Sequence, residues 1–157
     1  MGVKLLESGL CLLLLLGLVI MVASFQVPQN LTPSQWFEIQ HVNNRTNLRC
    51  NAAMRVINSY TGRCKDKNSF LQTSFAAVVS VCGRRNTTCR NGLTNCHNSP
   101  APVSLTYCNL TTPGRHYTQC QYQRTPATMF YRVACDNPTP QDNGSYPVVP
   151  VHLDRIF

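Results

Sequence analysis

The spacing of apolar and polar residues predicts helices in the first half of the chain and strands in the second. The first helix begins near Thr32, because Thr32 can cap, Pro33 suits the first helical position and Gln35 completes a capping box. Within this helix Phe37 and His41 lie one turn apart and share a face. The pattern therefore predicts an N-terminal helix with a histidine near its end.

Two further helices are predicted from residues 48–58 and 74–81. In the first, Leu48, Ala52 and Val56 recur at helical spacing. The second has the sequence SFAAVVSV, and its valine content makes a strand the alternative interpretation. The pattern favours a helix here and leaves the strand open.

The second half contains short β-rich runs separated by turns of proline, glycine and asparagine. The predicted strands are residues 103–110, 117–124, 129–135 and 146–153, with a surface loop at 138–144. Helices followed by strands indicate an α+β fold with an antiparallel sheet.

The N-terminus has the features of a secretory signal peptide. Residues 10–23 are an apolar run that ends in small residues, Ala23 and Ser24. A membrane anchor needs about 20 apolar residues, and polar Gln26 ends the run too early for that alternative. We predict a signal segment at residues 1–27, cleaved between 23 and 27, followed by a single domain at 28–157.

Composition narrows the class of protein. The chain has 157 residues and a formal charge of +8, from 14 basic and 6 acidic residues. This length excludes a large α/β enzyme, and the cysteine and aromatic content excludes a disordered tail. The predicted signal segment holds one basic and one acidic residue, so the charge is kept after cleavage. A charge of +8 favours a polyanionic partner, such as nucleic acid, anionic lipid or glycosaminoglycan, although a cationic surface alone also explains it.

Cysteines and sequons support the secretory interpretation. Removing Cys11 leaves eight cysteines, which indicate four disulfides, and about a hundred pairings remain open. No C-x-x-C pair is present, so no metal site is expected. Five N-x-S/T sequons predict N-glycosylation at Asn30, Asn44, Asn86, Asn109 and Asn143.

Histidine and lysine are the candidates for chemistry near neutral pH. Acid–base catalysis naturally uses two imidazoles, and the chain offers His41, His97, His116 and His152. Each of them is by default a surface or packing residue. Lys65 is one of two lysines in a domain that otherwise uses arginine, which hints at a specific amine.

Three strings of residues resemble a known family. They are QHVN at 40–43, CKDKNSF at 64–70 and VVPVHLD at 148–154. With the eight cysteines, they make the predicted domain strongly similar to the pancreatic-type ribonuclease (ribonuclease A) superfamily over essentially its whole length. Three segments resemble the eosinophil-associated branch, in particular its rodent members. They are the signal segment, the stretch PSQWFEIQH at 33–41 and the stretch YPVVPVHLD at 146–154.

The resemblance implies a more detailed fold than the pattern alone. It implies three helices in the N-terminal half packed on a curved antiparallel sheet, and a cis peptide bond between Tyr146 and Pro147. It also selects one disulfide pairing: Cys50–Cys108, Cys64–Cys120, Cys82–Cys135 and Cys89–Cys96.

The resemblance also implies an activity. Members are secreted endoribonucleases that cleave single-stranded RNA 3′ of pyrimidines, forming a 2′,3′-cyclic phosphate that is then hydrolysed. By position, His41 matches the general base, His152 the general acid, and Lys65 the amine that stabilises negative charge on the phosphate. No cofactor is expected, because the nucleophile is the substrate's own hydroxyl.

Substrate-binding roles are carried over in the same way. Gln40 is expected to bind the phosphate and Asp154 to orient His152. The base pocket departs from the family pattern, since Ser69 stands where the family has Thr and Leu153 where many members have Phe. The resemblance therefore implies a substrate-binding set of Gln40, Asn68, Ser69, Arg90, Asn91, Asn95, Leu153 and Asp154.

A second hypothesis explains the surplus arginines. The chain would be a cationic antimicrobial or chemotactic protein that binds anionic microbial surfaces or a receptor, with nuclease activity secondary. Arg84 and Arg85 form the most exposed-looking basic pair. Beyond RNA, the candidate partners are an anionic membrane, a glycosaminoglycan and the cytosolic ribonuclease inhibitor. We expect a secreted monomer, stored in granules if the branch resemblance holds, with a role in innate host defence.

Overall fold

The three predicted helices are present in residues 27–157, the part of the chain that the computed structural model describes. They are α1 (Pro33–His41), α2 (Cys50–Thr61) and α3 (Phe75–Cys82). The predicted signal segment lies outside the described residues except for Val27. Within the described part of the chain, no helix is long and apolar enough to cross a membrane.

Local capping explains where the helices begin and end. The Gln35 backbone N–H donates to Thr32 Oγ1 at 3.0 Å, and the Thr32 N–H donates back to Gln35 Oε1 at 2.9 Å, so the predicted capping box is confirmed. Ser74 caps α3 by accepting from the Ala77 N–H at 3.1 Å, which decides for the helix over the strand. Gly62 ends α2 with φ of 73°, a conformation that glycine adopts without strain.

Among the described residues, seven strands form two antiparallel sheets. One sheet has the order β1-β4-β5 and the other β2-β3-β6-β7. The strands are β1 (Lys67–Leu71), β2 (Asn86–Thr87), β3 (Cys96–Asn98), β4 (Val103–Thr112), β5 (Gln121–Met129), β6 (Tyr131–Asp136) and β7 (Val149–Ile156). The α+β class is confirmed.

Several boundaries correct the sequence prediction. β1 lies between α2 and α3, so the helices do not all precede the strands. Residues Tyr117–Gln119 form a 3-10 turn rather than strand, because the His116 side chain accepts from the Thr118 N–H and caps the turn. The last strand begins at Val149 rather than 146, since Tyr146 turns away to pack edge-on against Phe75 with ring centroids 5.9 Å apart.

The implied cis bond at Tyr146–Pro147 is wrong. No peptide bond in residues 27–157 is cis. The trans form is the ordinary one before proline, favoured by about 0.5–1 kcal/mol.

The four implied disulfides are all present. Cys50–Cys108 joins α2 to β4, and Cys82–Cys135 joins α3 to β6. Cys64–Cys120 links the end of the α2 region to the start of β5, and Cys89–Cys96 closes a short loop. The long-range bridges therefore hold the helices on the sheets.

The core brings the end of α1 against β1 and β7. Phe37 of α1 packs with Leu71 of β1 and Val133 of β6 in one buried cluster. Immediately after α1, the Asn43 N–H donates to the Leu71 carbonyl at 3.0 Å. These contacts fix the last turn of α1, which carries Gln40 and His41, at the edge of the sheet.

Candidate active site

The three strings that carry the family resemblance meet around one cleft of about 400 Å³. α1 contributes its last residue, His41. One wall is formed by β1 together with the segment before it, and another wall is formed by β7. Seven of the predicted catalytic and substrate-binding residues line the cleft: His41, Lys65, Asn68, Ser69, Arg90, Leu153 and Asp154.

His41 is held in one tautomer. Its Nδ1 lies 2.9 Å from the Ser69 carbonyl oxygen. Because a carbonyl only accepts, Nδ1 carries the proton and Nε2 keeps a free lone pair. Burial of the ring lowers the pKa of His41 well below 6.5, with smaller lowering by the charges of Lys65 and His152, while the hydrogen bond to Ser69 acts in the opposite direction. The ring is therefore neutral at pH 7 and able to accept a proton.

Lys65 is cradled by two amide oxygens. Its Nζ donates to Gln40 Oε1 and to Asn68 Oδ1, both at 2.9 Å. Asn68 Nδ2 in turn donates to the Gln40 carbonyl at 2.7 Å, which fixes the amide orientation. Neutral acceptors hold the ammonium in place without neutralising it, and its third N–H remains to bind an anion. Burial lowers the pKa of Lys65 to about 8, so the amine is still largely charged at pH 7.

The backbone of Lys65 is fixed by a buried pair that the sequence analysis missed. Asn58 is fully buried, and its Oδ1 accepts from the Lys65 N–H at 3.0 Å. Tyr122 Oη accepts from Asn58 Nδ2 at 3.0 Å and donates to the Lys65 carbonyl at 2.5 Å. An asparagine on the buried face of α2, beside Met54 and Ile57, is the signal that could have revealed this network.

His152 lies beside the cleft on β7, where it pairs with Ala134. Its side chain is exposed and is not among the residues that line the cleft. It is nevertheless near enough to His41 for its charge to lower the pKa of that ring.

Asp154 does not contact His152 as the resemblance implied. Its carboxylate accepts from the Arg90 backbone N–H at 3.1 and 3.3 Å and lies 3.9 Å from the Arg132 guanidinium. Asp154 is buried, so its two oxygens are directed to these donors while His152 extends toward solvent. In this structure Asp154 anchors the loop that carries Arg90.

The loop closed by the Cys89–Cys96 disulfide carries three of the predicted substrate-binding residues, and their contacts differ. Arg90 lines the cleft and is exposed. Asn91 accepts from the Leu93 N–H at 3.0 Å and shapes the loop internally. Asn95 Nδ2 donates to the Cys135 carbonyl at 3.2 Å and to Asp136 Oδ1 at 3.0 Å. Of the three residues, only Arg90 lines the cleft.

The residues predicted to hold the base come from both sheets. Ser69 of β1 lies opposite Tyr107 of β4, and both line the cleft. Leu153 of β7 lines the cleft and packs against the core cluster. A hydroxyl and an apolar wall therefore stand together where a flat ring could bind.

Cys89, Cys96 and Asp154 have potential metal-ligand atoms within 4.8 Å of one another. Both sulfurs belong to the Cys89–Cys96 disulfide and offer no thiolate. The donor set therefore does not fit a metal ion.

Comparison with known proteins agrees with this arrangement. The pattern of the pancreatic ribonuclease family matches residues 32–154. Over the full length of both chains, the sequence is 65% identical to an eosinophil cationic protein of Rattus norvegicus. It is 62% identical to a non-secretory ribonuclease of Mus musculus, again over the full length of both chains. The chain belongs to the pancreatic ribonuclease family.

Proposed function

We propose that the chain is an endoribonuclease that cleaves single-stranded RNA on the 3′ side of pyrimidines. In the first step His41 Nε2 takes the proton of the 2′-hydroxyl, and the 2′-oxygen attacks phosphorus. The bond from phosphorus to the 5′-oxygen breaks, and His152 donates a proton to that oxygen. The products are a 2′,3′-cyclic phosphate and a free 5′-hydroxyl.

The second step hydrolyses the cyclic phosphate with the roles reversed. His152 takes a proton from water, whose oxygen attacks phosphorus. The bond to the 2′-oxygen breaks and His41 returns its proton to that oxygen, which leaves a 3′-phosphate. Both enzyme groups are then restored to their starting protonation states.

The cradle of Lys65 is the observation that carries this proposal. An ammonium held at 2.9 Å by two neutral oxygens, beside a histidine with a free Nε2, suits a phosphorus centre on which negative charge accumulates. Requiring a 2′-hydroxyl as nucleophile explains a preference for RNA over DNA. Ser69 and Leu153 would hold the pyrimidine.

Replacing each histidine tests the proposal. His41→Ala and His152→Ala are each expected to lower kcat on a polypyrimidine RNA by about 10²–10⁴-fold. His116→Ala is the matched control, because His116 is an exposed histidine in the turn before β5 and has no role in the proposed reaction. An unchanged rate in His152→Ala would show that the catalytic assignment is wrong.

Secretion and host defence belong to the same proposal. The apolar run at 10–23 and the four disulfides support export into an oxidising compartment. A relative named eosinophil cationic protein supports a defence role. The test is the N-terminal sequence of protein recovered from the medium of expressing cells, which is expected to begin between residues 24 and 28.

A second function, binding to anionic surfaces, is favoured by the exposed face of α2. Val56 and Tyr60 lie one turn apart on it and are 55% and 46% exposed. Trp36 packs edge-on against Tyr60 with ring centroids 5.5 Å apart. Three exposed arginines lie in this helix or within two residues of its ends: Arg49, Arg55 and Arg63. Exposed apolar side chains on an arginine-rich helix suit the interface of an anionic membrane.

Vesicle binding tests this second function. His152→Ala is expected to bind phosphatidylserine vesicles as the parent does, whereas Val56→Ser/Tyr60→Ser binds severalfold more weakly. Arg84→Ala/Arg85→Ala serves as the comparison, because these arginines line a separate pocket of about 480 Å³. If only Arg84→Ala/Arg85→Ala loses binding, the vesicle-binding surface is the Arg84–Arg85 pair and not the exposed face of α2.

A further inference from the structure

Asn109 differs from the other predicted glycosylation sites in its place in the fold. Its side chain is exposed and lines the catalytic cleft, together with Lys67, Ser69 and Tyr107. The remaining sequon asparagines, all within the described part of the chain, do not line it: Asn30, Asn44, Asn86 and Asn143. A modification at Asn109 therefore bears directly on access to the cleft.

The strand register fixes where the Asn109 side chain stands. β4 is the central strand of its sheet, and Asn109 lies between Lys67 of β1 and Gln123 of β5. Two residues along each strand, Tyr107 pairs with Ser69. Because side chains alternate in a strand, these two pairs share one face, which is the floor of the cleft.

The distance from Asn109 to the catalytic groups follows from this register. Lys67 and Asn109 stand two residues from the Ser69–Tyr107 pair, which is about 7 Å along the strands. Ser69 is also the residue whose carbonyl holds His41. An attachment at Asn109 Nδ2 would thus begin beside the base pocket without lying on the catalytic histidine.

We propose that an N-glycan on Asn109 covers one end of the cleft and weakens the binding of long RNA, while substrates of mononucleotide size still reach His41. A glycan is bulky and hydrophilic, and a cleft of about 400 Å³ does not hold both its core and a polynucleotide strand. This inference rests on the proposed ribonuclease function. The glycosylated chain would act best on short RNA or cyclic nucleotides, and removal of the glycan would extend its range to long RNA.

Replacing Thr111 by valine removes the glycan from a position outside the cleft. Thr111 completes the sequon but does not line the cleft. Thr111→Val abolishes the sequon, and Thr111→Ser is the matched control because it keeps it. Thr46→Val removes the sequon at Asn44 instead, which controls for the loss of a glycan remote from the cleft.

The proteins are secreted from mammalian cells, and the occupancy of Asn109 is determined by peptide mapping. Cleavage of a long polypyrimidine RNA, hydrolysis of a cyclic pyrimidine nucleotide and the Kd for oligothymidylate are then measured. Thr111→Val is expected to lower the KM for the long RNA and the Kd for oligothymidylate severalfold, with cyclic nucleotide hydrolysis unchanged. Thr111→Ser and Thr46→Val are expected to match the parent, and Thr111→Val refolded from bacteria to match its bacterial parent.

An unoccupied Asn109, or an oligothymidylate Kd that is the same with and without the sequon, would overturn the inference. If instead the proposed ribonuclease function is wrong, neither the parent nor any variant cleaves the long RNA or the cyclic nucleotide. In that case the Kd for oligothymidylate still decides whether the glycan covers the cleft.

Discussion

His41 can act as a base near neutral pH because its surroundings disfavour the imidazolium. The pKa of His41 is lowered below 6.5, mainly by burial, so the ring loses its proton at a lower pH than an ordinary histidine. We expect the acidic limb of kcat/KM to fall below pH 6.5, because kcat/KM reports the free enzyme. His152→Ala removes a nearby positive charge and is expected to raise the pKa of His41.

Proton NMR of the His41 ring across a pH titration measures the pKa of His41 directly, in the parent and in His152→Ala. The His41→Asn variant identifies the resonance. A His41 that titrates at or above 6.5, or that does not respond to His152→Ala, would contradict the described electrostatics of the site.

Ser69 brings a hydroxyl to the cleft, where we propose that it contacts the pyrimidine, but it lacks the methyl group that restricts χ1 in threonine. We expect Ser69→Thr to raise kcat/KM on cytidine- and uridine-containing dinucleotides by up to about threefold, the gain from selecting one of three staggered rotamers. Cys and Ala variants at Ser69 separate this effect from the hydroxyl itself, because both lack an oxygen. A Ser69→Thr variant slower than the parent would show that the cleft has no room for the methyl.

For individual residues, the sequence predicted most of those that come together at the cleft, but not all of the contacts that they make. His41, Lys65 and Ser69 belong to specific strings, and the structure brings them to one cleft. The partners of Asp154 were not predictable, because Arg90 and Arg132 are 64 and 22 positions away and meet it only through the tertiary fold. Side-chain direction at the edge of β7 depends on those partners rather than on local pattern.

Among the elements, α2 and β5 position Lys65, the lysine proposed to act on the phosphate, through Asn58 and Tyr122. Tyr122→Phe removes the hydroxyl that donates to the Lys65 carbonyl and leaves the buried Asn58 amide with one partner fewer. We expect a loss of about 1–3 kcal/mol in the free energy of unfolding. We also expect a lower kcat with little change in KM, because Lys65 acts on charge that develops in the transition state.

Urea denaturation and steady-state kinetics of Tyr122→Phe separate its two roles. Tyr60→Phe is the control, since Tyr60 is exposed on α2, the helix that carries Asn58. Loss of stability with an unchanged kcat would mean that Tyr122 supports the fold only and does not position Lys65.

Local chemistry explains which elements the sequence predicted well. α1 and α3 are capped by Thr32 and Ser74, and each capping side chain bonds to a backbone N–H only three residues further on. β1 was missed because its sequence, KNSFL, has little local signal and is held by pairing with β4, about 40 residues away. The starts of β5 and β7 were misplaced because side-chain contacts decide them: His116 caps the turn before β5, and Tyr146 packs against Phe75 before β7.

Over the whole molecule, the disulfides differ in how much chain they constrain. Cys50–Cys108 spans 58 residues and Cys89–Cys96 spans 7. Loss of loop-closure entropy in the unfolded chain predicts a stabilisation of about 4 kcal/mol for the long bridge and about 2 kcal/mol for the short one. The paired variants Cys50→Ala/Cys108→Ala and Cys89→Ala/Cys96→Ala therefore differ in unfolding free energy by about 2 kcal/mol, measurable in guanidinium chloride.

The same two variants are expected to rank in the opposite order for RNA binding. The short bridge closes the loop in which Arg90 lines the cleft and donates its N–H to Asp154. Removing the bridge is therefore expected to move this cationic side chain away from the proposed RNA site. The long bridge joins α2 to β4 away from that loop. Cys89→Ala/Cys96→Ala should raise the KM for RNA more than Cys50→Ala/Cys108→Ala does, at a temperature where both remain folded. If the two rankings coincide, the short bridge contributes to stability alone and Arg90 reaches the substrate without it.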